Sequence, residues 1–269
     1  MPTSFSLLLL FGCLTGVTTV LFGFGGGFVT VPVVYGVLTA AERPGTGADA
    51  MHVAVATSAA VMVVNAVVAA LVQWRAGRLL RAYVWPLAGF IAAGAAVGSF
   101  AATLIGGTAL RLLFAAYLLV TIADSLLRKG FLAAAPRTPL KPLGRSTVTA
   151  GGFGIGLVAA GLGVGGSVMT VPLLRRRGLP MADATATANP LSVPVALAGT
   201  LVYALTPTTT TATGRLGYVD LAAGAALLLG SLPTIAVARR VADRVPDGVH
   251  SAAYVGLLVV VLLIVAVGV

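Results

Sequence analysis

The sequence predicts an all-α polytopic membrane protein, built from two inverted-topology repeats of about five membrane segments each. Three observations carry this. The 269 residues are 58% hydrophobic and 9% charged, with a mean hydropathy of +1.04. The apolar runs are long, most of them close to the roughly 20 residues that cross about 30 Å of hydrocarbon. And one glycine-rich run is written twice. Gly23-Phe24-Gly25-Gly26-Gly27-Phe28-Val29-Thr30-Val31-Pro32 returns, loosely, 140 positions later as Gly163-Val164-Gly165-Gly166-Ser167-Val168-Met169-Thr170-Val171-Pro172. Gly12 and Gly16 answer to Gly152 and Gly156 at the same offset. An internal repeat decides the architecture before any other feature does.

Residues 1–127 form the first membrane repeat, 128–146 a basic linker and 147–269 the second repeat. The first repeat resolves into Phe5 to Phe22, Phe28 to Leu38, Val53 to Val72, Tyr83 to Ile105 and Leu110 to Leu127. Met1 to Leu10 carries no Lys or Arg, so the opening run reads as a membrane segment rather than a cleaved signal. The second repeat gives Val148 to Leu162, Val168 to Leu174, Ala184 to Leu205, Tyr218 to Val237 and Val249 to Val269. The second piece of each repeat is too short to span fully. It either crosses or returns as a re-entrant hairpin with its predecessor, and the parity is the same. The linker holds Pro136, Pro139 and Pro142 with five basic residues, and reads as a cytoplasmic connector. Thr206 to Thr213 is expected to be an outer loop.

The formal net charge of +10 invites a nucleic-acid partner, but the basic residues sit in short loops between apolar runs. They act as orientation signals. If the side reached after the third piece is the cytoplasm, 14 of the 17 basic residues face it, leaving Arg43, Arg111 and Arg215 outside. Counting each short pair as one crossing erases this bias. Each repeat therefore crosses an odd number of times, the repeats are inverted, and both termini are extracytoplasmic. The single cysteine, Cys13, lies inside the first apolar run and has no disulfide partner within the chain.

Gly25, Gly26 and Gly27 in succession do not suit a helix interior, where each costs about 1 kcal/mol relative to Ala. In lipid such a break survives only inside protein or beside water. A helix restarting at Phe28 aims its first N–H groups into that space. A second restart after Gly165, Gly166 and Ser167 does the same from the other repeat. Two helix N-termini facing one cavity suit an anion. Pro32 and Pro172 suggest that each restart is short or kinked. Glycine also serves close helix packing, and the two roles can coexist. A further matched pair opens the third pieces: Ala54-Val55-Ala56-Thr57-Ser58-Ala59 corresponds to Ala184-Thr185-Ala186-Thr187-Ala188-Asn189 at an offset of 130. Thr57, Ser58, Thr187, Asn189 and Ser192 can bond an oxyanion, an exposed backbone group or a neighbouring helix. Asn65 lies one to two turns deeper.

Charged residues avoid the middle of every apolar piece. Asp124 reads as a helix-end partner of Arg128, and Asp220 as an outer-surface residue near Arg215. His52 and His250 read as surface or capping residues at helix starts. No paired carboxylates, Walker loop, HExxH or credibly placed Ser/His/Asp set appears, so the sequence supports neither an enzyme nor a cofactor or metal site.

Gly23-Phe24-Gly25-Gly26-Gly27 with Val31-Pro32, then Ala54-Val55-Ala56-Thr57-Ser58, Gly77-Arg78-Leu79 and Gly217-Tyr218-Val219-Asp220, resemble the sulfite exporter TauE/SafE family of membrane permeases. The resemblance covers essentially the whole chain. It departs at Ser167, where the second glycine run breaks strict symmetry. It implies a bacterial inner-membrane protein that moves a small inorganic or organic sulfur anion, such as sulfite, sulfoacetate or another organosulfonate, usually outward. The anion and the lipid bilayer are then its partners; a homo-oligomer stays open. With no nucleotide-binding segment, a secondary mechanism is expected. An anion channel and a non-transporting membrane scaffold are the rival readings.

Overall fold

The computed structural model describes residues 2–40, 49–77, 79–127, 143–208, 214–242 and 244–267. The first five helices are α1 (Pro2–Phe22), α2 (Gly27–Ala40), α3 (Ala50–Arg75), α4 (Arg81–Thr103) and α5 (Gly107–Leu127). A π-helical turn, Thr147–Gly151, leads into α6 (Gly152–Gly161). Then come α7 (Ser167–Arg175), α8 (Met181–Leu205), α9 (Leu221–Ala242) and α10 (Asp247–Val267). Between α8 and α9 a small antiparallel hairpin pairs β1 (Arg215–Leu216) with β2 (Val219–Asp220). Most of the linker, including Arg128, Lys129, Arg137 and Lys141, lies outside the described residues, as do Arg43, Arg78 and 209–213 of the Thr-rich loop.

Among the described residues seven helices are long and apolar enough to cross a membrane: α1, α3, α4, α5, α8, α9 and α10. α2 and the stretch Thr147–Gly161 are apolar but shorter. Helices satisfy their own backbone groups, which is why this composition folds so in hydrocarbon. Large apolar side chains such as Leu10, Val120, Leu201 and Val237 face outward, where lipid solvates them. Thr15, Ser58, Asn65, Asn189 and Ser231 are buried inside.

The most extensive helix contacts are α1 with α9 and α4 with α6. Glycine makes both possible. A Cβ on Gly94 would overlap the carbonyl oxygen of Phe153, one on Gly98 that of Leu157, and one on Gly156 that of Ile91. Across the other pair, Gly12 approaches Leu227 O, and a Cβ on Gly16 would sit 2.5 Å from Ser231 O. Of the repeated upstream glycines, Gly12, Gly16 and Gly156 are contact points where two backbones touch, and Gly152 packs against the Phe90 side chain.

The prolines sit inside helices, Pro32 in α2 and Pro172 in α7. Pro172 supplies no N–H to the carbonyl four residues back, Val168 O, and the Tyr254 hydroxyl donates to that oxygen instead at 2.9 Å. Restarted α2 runs for 14 residues, whereas α7 runs for 9.

Three polar side chains, two histidines and Asp220, are more buried than expected. His52 and His250 are buried rather than at the surface. His52 Nε2 reaches Ala102 O at 3.2 Å and Ile105 O at 3.0 Å, and His250 Nε2 reaches Leu21 O. Each ring thus caps the end of a different helix from its own. Asp220 is buried too, its Oδ1 accepting the Ala223 amide at 3.0 Å in the first turn of α9. Asp124 of α5 pairs with Arg176, the residue just past the end of α7, while its expected partner Arg128 lies outside the described residues.

Candidate functional site

α1 ends at Phe22, α2 begins at Gly27, and the four residues between them turn the chain. Gly25 and Gly26 have φ of 61° and 88°, a left-handed backbone that side chains rarely tolerate. After the turn, the Gly27 amide donates to Phe24 O at 3.3 Å and the Thr30 amide to Gly26 O at 3.1 Å. The matching turn before α7 repeats this chemistry. The Val168 amide donates to Gly165 O at 3.2 Å and the Thr170 amide to Gly166 O at 3.1 Å. Thr30 and Thr170 hydroxyls close the turns identically, on Gly26 O at 2.9 Å and Gly166 O at 3.0 Å.

These two turns touch. A Cβ on Gly27 would lie 2.7 Å from Gly163 O, and one on Gly165 only 2.5 Å from Phe24 O. Ser58 Oγ stands 2.9 Å from both Gly27 O and Gly163 O. With one proton it donates to one turn at a time, and so holds both. The Ser167 amide and hydroxyl both meet Ser192 Oγ, at 3.4 and 3.3 Å. Gly166 packs against Leu191 O on α8.

Two carboxamides flank the first turn. Asn65 of α3 stands beside Gly26: a Cβ there would come 3.0 Å from Asn65 Nδ2 and would overlap the Thr15 methyl. Asn189 of α8 stands beside Gly23, whose Cβ position is 3.5 Å from Asn189 Oδ1. Both asparagines are fully buried. Ser231 donates to Asn65 Oδ1 at 2.8 Å, but Asn65 Nδ2 has no partner among the described residues. Neither polar atom of Asn189 has one, nor do Thr15 Oγ1 and Thr187 Oγ1. A buried polar group left unpaired costs about 1–3 kcal/mol. Four such groups on the helices around one turn are a costly arrangement for a fold to keep.

Two expected contributors are otherwise engaged. Thr57 Oγ1 accepts the Asp220 amide at 3.0 Å and ties α3 to the hairpin. The Phe28 ring packs against Phe24 and Phe114, with centroids 5.1 and 6.1 Å away. Its amide, at the head of α2, is the part that faces the turn. Sequence reasoning missed Thr15 and Ser231. The signal for Thr15 was its place, one residue before Gly16 and within three turns of the glycine run.

It also placed Arg175 in a loop. Arg175 is the last residue of α7, and its side chain is 1% exposed. Its Nη1 donates to Asp247 Oδ2 at 2.8 Å and its Nη2 to Ser251 Oγ at 3.1 Å. Asp247 Oδ1 in turn accepts the Met181 amide at 2.6 Å, so one ion pair locks the start of α8 to α7 and α10. The first repeat has a lighter counterpart at the same 140-residue offset, where Arg111 of α5 donates to the Tyr35 hydroxyl of α2 at 3.2 Å.

The chain is a multi-pass helical membrane protein with two apposed glycine turns at its core, ringed by neutral polar groups. The particular family follows from comparison: the model described as Sulfite exporter TauE/SafE matches residues 8–266, and the chain belongs to that family. Members are membrane permeases of the sulfur-anion exporter type rather than enzymes. Comparison with curated proteins and with solved structures found no match.

Proposed function

We propose that this chain is a secondary transporter that exports a small sulfur oxyanion, sulfite or an organosulfonate, bound between the two glycine turns. One observation carries the reading: Asn65 Nδ2 and Asn189 Oδ1 are buried, unpaired among the described residues and set against the turn Gly23–Gly26, and Asn189 Nδ2 is buried and unpaired with them. The site residues are Gly25, Gly26, Gly27 and Phe28 through their backbone, with Asn65, Asn189, Thr187 and Thr15. Gly165, Gly166 and Ser167 complete it from the second turn, with Ser58 of α3 bridging the two turns. In the described conformation the turns are in contact, so an anion enters only when they part. The side chains nearest the turns are neutral. Charge compensation then comes from the N-termini of α2 and α7, each worth roughly 0.3–1 kcal/mol and up to about 2 when partly buried. A central Arg would hold the anion too firmly and cost more in lipid.

The inverted arrangement of the repeats belongs to this proposal. α3 and α8 are equivalent by sequence. Ala59 lies beside Gly199 while Val67 shares a groove with Val193, so the two helices run antiparallel. Antiparallel equivalents are what a two-fold axis in the membrane plane requires. The 14 basic residues then face the cytoplasm, both termini lie outside, and the membrane is the bacterial inner membrane. Reporter fusions at Val269 and near Thr138 are expected to be active outside and inside, respectively; a C-terminal fusion active only in the cytoplasm would sink the inverted topology.

Outward movement needs no coupled cation, because a potential negative inside favours anion export by about 2.3 kcal/mol per charge per 100 mV. Purified protein in liposomes should show saturable sulfite uptake with counterflow, external unlabelled sulfite driving labelled sulfite out. Flux without counterflow would make it a channel. Neither flux nor thermal stabilisation by sulfite would leave a scaffold.

A further inference from the structure

We propose that Arg81 is the headgroup anchor of a tightly held anionic phospholipid on the outside of the bundle, with the acyl chains in two grooves that meet beneath it. The first groove, of about 470 Å³, is lined by Val67, Leu71 and Trp74 of α3, Val84 and Trp85 of α4, and Val193 of α8. The second, of about 600 Å³, is lined by Tyr83, Pro86, Leu143 and Val148. Leu79 and Arg81 line both. Both linings are apolar apart from Arg81 and the tyrosine hydroxyl. Two apolar channels diverging from one cation match a molecule with two hydrocarbon chains on one anionic head.

The position is right for a lipid. Arg81 opens α4 just after α3 ends at Arg75, two helices long and apolar enough to cross a membrane, so it stands at a membrane–water boundary. The chain has two tryptophans, and both line the first groove. Trp74 is 56% exposed and Trp85 81% exposed, as aromatic residues are at lipid headgroup level. The Arg81 guanidinium carbon lies 5.8 Å from the Trp74 ring centre, which holds the cation at the groove's mouth. Among the described residues no carboxylate pairs with Arg81, so its charge is available to a phosphate. The site is separate from the glycine turns, and the transport reading and this one stand or fall independently.

Because both tryptophans sit in the groove, their fluorescence reports its occupant directly. Wild-type protein is reconstituted in phosphatidylcholine vesicles carrying brominated phosphatidylglycerol or, at equal mole fraction, brominated phosphatidylcholine. The anionic lipid is expected to quench with about a fivefold higher relative binding constant, the factor one interfacial arginine contributes. Arg81→Gln should reduce that ratio to about one, Arg81→Lys should keep most of it, and Arg215→Gln should not alter it. Equal quenching by the two lipids in the wild type, a measurement that needs no variant, overturns the proposal. So does an undiminished preference in Arg81→Gln. Relief of the quenching by sulfite would also overturn it, and would make the groove an anion vestibule.

Discussion

Gly98→Ala should lower the thermal midpoint sharply, while Gly89→Ala and Gly154→Ala, equally helical, should hold or slightly raise it. The difference lies in what a single methyl group meets. On Gly98 it would overlap the carbonyl oxygen of Leu157, a backbone atom on α6 that no rotamer change can move aside. On Gly89 and Gly154 nothing lies within 4 Å. To admit the methyl, α4 and α6 must separate along one of the two most extensive helix contacts in the fold. Overpacking of a rigid contact costs about 1–3 kcal/mol and more where backbone must shift, and here the loss sits at the upper end. Gly89 and Gly154, with open space at the Cβ position, should instead gain up to about 1 kcal/mol from the better helix former. Thermal midpoints and size-exclusion profiles in detergent decide it. A Gly98→Ala protein with the parental midpoint would show that α4 and α6 do not approach as closely as described.

That contrast marks what could be read from sequence. The seven long segments were legible because length and apolarity alone dictate a spanning helix. What could not be read was which glycines turn the chain and which let helices touch. Gly12, Gly16, Gly152 and Gly156 keep the 140-residue offset as faithfully as Gly23 and Gly163 do, yet the first four are packing contacts and the last two have positive φ. Partners across the bundle were equally hidden. Arg175 follows an apolar stretch and precedes two more arginines, so only the arrival of Asp247 and Ser251 on α10 explains its burial. Thr57 and Thr187 are equivalent by offset, but the β-hairpin reaches one and leaves the other without a partner. Local sequence carries no record of a contact 163 residues away.

Asn189→Leu should weaken sulfite binding at least about tenfold while leaving the protein as stable as the parent, or more so. The two effects point in opposite directions because Asn189 makes no hydrogen bond that the fold uses: both its polar atoms are buried and unpaired among the described residues. Replacing it with an apolar side chain of similar shape removes a desolvation cost of about 1–3 kcal/mol, so the thermal midpoint should hold or rise. If the carboxamide instead meets the anion, its loss removes a hydrogen bond to a charged group, worth about 1.5–3 kcal/mol, or at least about tenfold in sulfite affinity. Asn65→Leu makes the comparison sharper. It also removes the nearer acceptor of the Ser231 hydroxyl, Asn65 Oδ1 at 2.8 Å, leaving it the longer bond to Leu228 O at 3.4 Å, and should therefore lower the midpoint. Adding Ser231→Ala should restore stability to that protein but not its transport, which separates the structural half of the amide from the half that faces the turn. Sulfite counterflow in liposomes and the midpoint in detergent are measured on the same preparations. Normal counterflow in a well-folded Asn189→Leu protein would remove the amide from the site and with it the reason for placing the anion beside the first glycine turn.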